Sequence, residues 1–174
     1  MVLLIVMLAL TLFRLFLGRW SLGLGILWWW LGGVLGFLFV FSDRLVHSLI
    51  TNPGETLSVK VKDLFREKKL VEGLRLVLLE RSQQEGLMMR SILFVAIWLM
   101  LAFWTSLGVV SALGRGFMLG MGIHFIFDLL WDFFSQERKT SSWFWQIKRQ
   151  VTAEEQRWTV LVVCFLGILV VLGL

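Results

Sequence analysis

Tyrosine is missing from the 174 residues, cysteine and proline occur once each, and charged side chains make up only 17%. One cysteine excludes a disulfide framework. Soluble domains are about 25% charged and about 45–50% apolar. A chain that is 17% charged and 58% hydrophobic therefore excludes water-soluble enzyme folds and disordered binders, and its length suits one compact bundle of membrane spans. P-loop, CxxC, HExxH and GxSxG patterns are also missing, and with them the common nucleotide, redox, zinc-protease and serine-hydrolase signatures. Neither broken helices nor matched repeats, the marks of a transporter, stand out. Cys164, inside an apolar run, is read as a packing residue.

What is present is a series of long apolar runs. Crossing roughly 30 Å of hydrocarbon takes about 20 residues, and residues 22–41, 91–113 and 116–134 qualify, with 158–174 a little short. Residues 1–17 are apolar except for Thr11 and Arg14, with no basic n-region and no A-x-A-like cleavage site, so this stretch is expected to stay as a first span. A turn at Gly18-Arg19-Trp20-Ser21 leads to the second. The fold class expected is all-α: a polytopic transmembrane helical bundle of about five spans, or four if the first lies in the interface.

Basic residues orient the bundle. The chain has 17 Lys and Arg against 12 Asp and Glu. Nine of the basic residues fall between Arg44 and Arg90 and five between Arg138 and Arg157, which leaves Arg14, Arg19 and Arg115 for the opposite face. By the positive-inside rule both loops, 52–86 and 135–157, face the cytoplasm of a cell-membrane protein. Acidic residues interleave with the basic ones, so no nucleic-acid partner is expected. In the first loop, Leu57, Val61, Leu64 and Phe65 form one helical stripe and Leu70, Val71, Leu74, Val77 and Leu78 another. Two short amphipathic helices are predicted, packed on the bundle or lying along the inner leaflet against anionic lipid headgroups. Trp143-Phe144-Trp145, followed by Lys148 and Arg149, reads as an interfacial anchor, with Ser141 or Ser142 as a helix cap.

Ionisable residues inside spans cost free energy unless they find partners. In 116–134 these are His124, Asp128 and Asp132, spaced by four and so on one helical face, with Gly116 and Gly120 continuing that face. An aspartate costs about 2.5–3.5 kcal/mol at mid-helix and each Leu, Ile or Phe returns about 0.3–0.6. The ten such apolar residues from Phe117 to Phe134 therefore leave little margin for insertion. The earlier span repeats the arrangement: Gly32 and Gly36, then Asp43, then His47, again on one face. The glycines are expected to bring the two helices together. Their Asp/His pairs then meet at the cytoplasmic end, either as ligands of Zn²⁺ or another divalent metal or as buried ion pairs.

These segments resemble a known family. Phe41-Ser42-Asp43-Arg44-Leu45-Val46-His47 is similar to a degenerate form of the D-x-D-H segment of the helical membrane-bound metal-dependent hydrolases, and His124-Phe125-Ile126-Phe127-Asp128 to their H-x-x-x-D segment. The resemblance implies a divalent metal, Zn²⁺ being the natural choice, held by Asp43, His124 and Asp128. His47 and Asp132 are further candidates from spacing. Phe41 stands for the family's first aspartate, Arg44 for its histidine, and Arg90 for the histidine that opens another span. Arg90 is expected either to hold a phosphate-bearing substrate or to form an ion pair with Asp43, Asp128 or Asp132 in the metal's stead. Two functions follow: hydrolysis of a phosphoester-type bond near the inner leaflet, through a metal-activated water, or a non-catalytic membrane scaffold or partner-binding subunit whose polar cluster is structural.

Overall fold

The computed structural model describes residues 1–18, 23–79, 86–108, 110–135 and 139–174. Among them are seven α-helices and no strand, so the fold is all-α. In order they are α1 (Val2–Phe16), α2 (Leu24–Val46), α3 (Thr56–Arg66), α4 (Leu70–Leu79), α5 (Ile92–Leu107), α6 (Ala112–Phe134) and α7 (Ala153–Gly173). A π-helical turn, His47–Thr51, carries α2 on to 28 continuous residues. Apart from Gly18, whose φ of 64° suits a turn, the turn expected after α1 lies outside the described residues.

Among the described residues three helices are long and apolar enough to cross a membrane: Leu24–Thr51, Ala112–Phe134 and Ala153–Gly173. α1 and α5 have 15 and 16 residues, about 22–24 Å at 1.5 Å per residue, shorter than the hydrocarbon core. The apolar run 91–113 is not one helix. α5 ends at Leu107, Gly108 is extended, and Ser111 caps α6 by accepting a hydrogen bond from the Gly114 N–H. α7 starts ahead of the expected 158, because Thr152 and Glu155 form a reciprocal capping box.

Helix direction follows from which residues meet. Met7 of α1 packs on Gly33 while Arg14 lies over Trp29, so α1 and α2 are antiparallel. Trp98 donates its indole N–H to the Met118 carbonyl at 3.0 Å and Phe94 packs on Phe125, so α5 and α6 are antiparallel. Gly167 of α7 faces Ile126, and Arg157 shares a cleft with Phe133, so α7 opposes α6. α1, α2, α5, α6 and α7 thus alternate in direction, and α2 and α6 run parallel. α6 is the centre. Eleven of its 23 residues are buried, against seven of 23 in α2 and four of 21 in α7.

The outward surfaces are apolar. Ile5, Leu27, Leu38, Leu101, Phe165 and Ile168 are all more than half exposed. Contiguous apolar surface of this extent is rare on water-soluble monomers and suits hydrocarbon. Trp29 is an exception within the Trp28-Trp29-Trp30 run, being fully buried while Trp28 faces out.

α3 and α4 pair at the end of the bundle where α2 finishes, hereafter the loop end. Leu57, Val61 and Val77 form a small core against Phe41, Leu45 and Leu49. The stripe predicted for α4 divides. Val77 packs inward, Leu70 and Val71 are exposed, and the Leu78 side chain lies outside the described residues. The predicted anchor divides too: Trp143 and Phe144, in a 3₁₀ turn over Lys139–Phe144, are buried, and only Trp145 is exposed.

Candidate functional site

The site lies on the seam between α2 and α6. Glycine recurs on the facing sides, and a Cβ added at any of four glycines would overlap backbone: at Gly32 the Leu113 carbonyl, at Gly36 that of Phe117, at Gly116 that of Trp29, at Gly120 that of Gly33. The helices therefore touch main chain to main chain, as the Gly32/Gly36 and Gly116/Gly120 spacing predicts. At helical spacings of four, seven, eight and eleven residues the same faces continue toward the loop end as Val40, Asp43, Arg44 and His47 on one side, and by steps of four as His124, Asp128 and Asp132 on the other, all buried.

Close backbones bring these side chains within reach across the seam. His124 places Nδ1 3.0 Å from the Phe37 carbonyl, and its ring packs on Phe37 at 4.4 Å between centroids. Arg44 donates from Nη2 to Asp128 Oδ2 at 3.2 Å, and His124 Nε2 lies 3.7 Å from that oxygen. One turn further, the Arg90 guanidinium grips Asp132 Oδ2, with Nε at 3.1 Å and Nη2 closer. Trp143 donates its indole N–H to the same oxygen at 2.7 Å, and Arg90 lies 5.7 Å from the centre of the Trp143 ring. Asp43 accepts the Met89 N–H at 2.8 Å, which ties the segment before α5 to the end of α2. Ser91 then caps α5 through the Phe94 N–H. His47 heads the π-helical turn, and its Nε2 sits 3.4 Å from Glu55 Oε2 at the start of α3.

The candidate ligands each meet a protein partner. Among the described residues no three His, Cys, Asp or Glu side chains gather around one point. Asp43 is directed to a backbone N–H, His124 to a carbonyl, and the Asp128 oxygen beside His124 holds Arg44. A dication placed there would meet a permanent guanidinium charge. His47 lies beside Glu55, and Asp132 is held by Arg90. Of the two expectations for Arg90, the ion pair is the one observed, with Asp132 as partner.

Three participants escaped the sequence reading: Arg44 as the cation for Asp128, the Trp143 indole on Asp132, and the Met89 N–H on Asp43. Arg44 carried a signal, because a buried aspartate in a parallel neighbour at the same depth calls for a cation. Trp143 and Met89 carried none, lying in irregular segments without periodicity. No family model matches the chain, no curated protein is similar to it and no solved structure resembles it, so the likeness to the metal-dependent hydrolases rests on the short segments around Asp43 and His124.

Proposed function

We propose that the chain is a multi-pass membrane scaffold, a structural or partner-holding subunit whose polar cluster joins helices instead of performing hydrolysis. The observation that carries this reading is the pair of bridges Arg44–Asp128 and Arg90–Asp132, which place guanidinium groups against the carboxylates a metal would need. In the topology proposed, α1, α2, α5, α6 and α7 all cross the bilayer, the two short ones with local thinning or snorkelling of flanking residues. The loop end is cytoplasmic. Supporting this side, Lys60, Lys62, Lys68, Arg75 and Lys148 belong to loop-end segments, while Arg14 and Arg115 belong to the far end.

Two measurements test the proposal. Protein purified in mild detergent is expected to hold no stoichiometric divalent metal. A stoichiometric ion that Asp128→Asn removes would overturn the scaffold reading in favour of a metal-dependent hydrolase. For topology, single cysteines at Lys68 and Lys148 in a Cys164→Ser background are expected to resist impermeant thiol reagents in intact cells and to react after permeabilisation. Labelling from outside refutes the orientation.

A further inference from the structure

Three clefts lie side by side where the end of α6 meets the start of α7. One, about 280 Å³, is lined by Phe133, Phe134, Thr140, Gln156 and Arg157. A second, about 410 Å³, shares Phe134 and runs back along α6 past Trp131, Leu130 and Phe127, with an almost wholly apolar lining. The third, about 450 Å³, shares Arg157 and continues past Trp158 to Leu161, with Glu154 at its edge. A cation thus stands between two apolar grooves that descend along neighbouring helices. Trp131 and Trp158 are both more than half exposed, about one turn from the ends of their helices. That is the depth at which tryptophans mark the border between headgroups and hydrocarbon.

Arg157 is the cation left over. Nearby Arg149 is engaged by Glu155 at 2.7 Å, and that hydrogen bond raises it above its ordinary range. Gln156 donates to the Val151 carbonyl and Thr140 to that of Asp132. Among the described residues Arg157 has no hydrogen-bond or ion-pair partner. Among the described residues no carboxylate lines the cleft it shares with Thr140 and Gln156, and the positive end of the α7 dipole lies a turn away.

We propose that this junction is a binding site for one anionic phospholipid, with the headgroup phosphate on Arg157 between Thr140 and Gln156 and an acyl chain in the groove along Trp131, Leu130 and Phe127. Charge complementarity selects the occupant. An exposed guanidinium with no ion-pair partner among the described residues prefers a phosphate, and an apolar groove that adjoins its cleft requires that the phosphate carry a hydrocarbon tail. The site rests on the membrane reading above, and it differs from diffuse attraction of anionic lipid to the basic loop because it depends on one residue.

The full chain in mild detergent is offered phosphatidylglycerol, phosphatidylcholine or glycerol 3-phosphate, and bound molecules are counted by native mass spectrometry. Phosphatidylglycerol is expected to be retained about fivefold better than phosphatidylcholine, corresponding to about 1 kcal/mol for one interfacial cation. Arg157→Gln removes that preference, Arg157→Lys keeps most of it, and Trp131→Ser lowers retention of both lipids. Lys148→Gln leaves all values unchanged. An equal loss in Lys148→Gln and Arg157→Gln overturns the site in favour of general surface charge, and glycerol 3-phosphate binding as well as phosphatidylglycerol overturns the acyl-chain groove. A chain that needs no detergent to stay in solution refutes the membrane reading itself, a result distinct from either.

Discussion

The α2–α6 seam is built in two halves that solve different problems. Toward the far end Gly32, Gly36, Gly116 and Gly120 remove side chains so that main chains meet. Toward the loop end Arg44, His124, Asp128 and Asp132 fill the same helical faces with charge. Dispersion between close backbones is favourable in lipid but tolerates sliding by one turn, since every fourth residue looks alike. Ion pairs break that degeneracy. Arg44 meets Asp128 in one register only, and Arg90 with Trp143 closes α5 and the 3₁₀ turn onto Asp132. Glycine sets the distance, and charge sets the register.

Substitutions that leave one half intact separate these roles. The largest effect is expected in the charged half: Arg44→Met leaves Asp128 buried without its guanidinium and should destabilise by about 3–5 kcal/mol. The double variant Arg44→Met/Asp128→Leu should recover most of the loss, because well-packed apolar pairs often replace buried ion pairs. Thermal melts in detergent report both, and a double variant no better than the single one contradicts the register role. Next come Gly36→Leu and Gly120→Leu, at about 3 kcal/mol each, since a side chain there drives against backbone that cannot yield. Size-exclusion profiles and melts should show them damaged more than Gly167→Leu, where the added atoms meet the movable tip of Ile126 at 2.7 Å. Trp143→Phe follows at about 1.5 kcal/mol, the loss of one hydrogen bond to a charged acceptor. If it matches Arg44→Met, the Asp132 cluster outweighs the Asp128 bridge. Gly167→Ala is the smallest, less than about 1 kcal/mol by the same melts.

Periodic features were legible in the sequence. Spacings of seven and eight placed Gly36 with Asp43 and Gly120 with Asp128 on facing sides, because helical geometry converts residue number directly into direction. Apolar stripes located α3 and α4 for the same reason. Lost were the features that depend on tertiary partners. Apolar composition alone could not show that residues 91–113 break at Gly108 and Ser111, since the break is made by a serine cap and an extended glycine inside an uninterrupted apolar run. Nor could an aromatic cluster next to lysine and arginine reveal that Trp143 turns inward to a carboxylate. At the site itself, Asp43, His124 and Asp128 were legible as polar positions on facing helices, whereas Arg44 was read only as standing where the resembled family has a histidine. In the folded chain it is the partner.

The order of the bridging residues along the chain has a consequence for how the protein is made. Each arginine precedes its aspartate: Arg44 is synthesised long before Asp128, and Arg90 before Asp132. While they wait, both arginines can stretch their guanidinium groups toward water on long flexible stems. The aspartates, with short side chains one and two turns inside a helix of marginal apolarity, lack that refuge. In the topology proposed, translation from the N-terminus therefore delivers α6 into a bilayer where both of its counter-charges are already in place. Exchanging the partners, with Asp at 44 and Arg at 128, would keep the final bridge while stranding a carboxylate during assembly. Lower yield of inserted protein from that swap, with unchanged stability of whatever folds, would expose a selection on the sequence of events rather than on the finished fold.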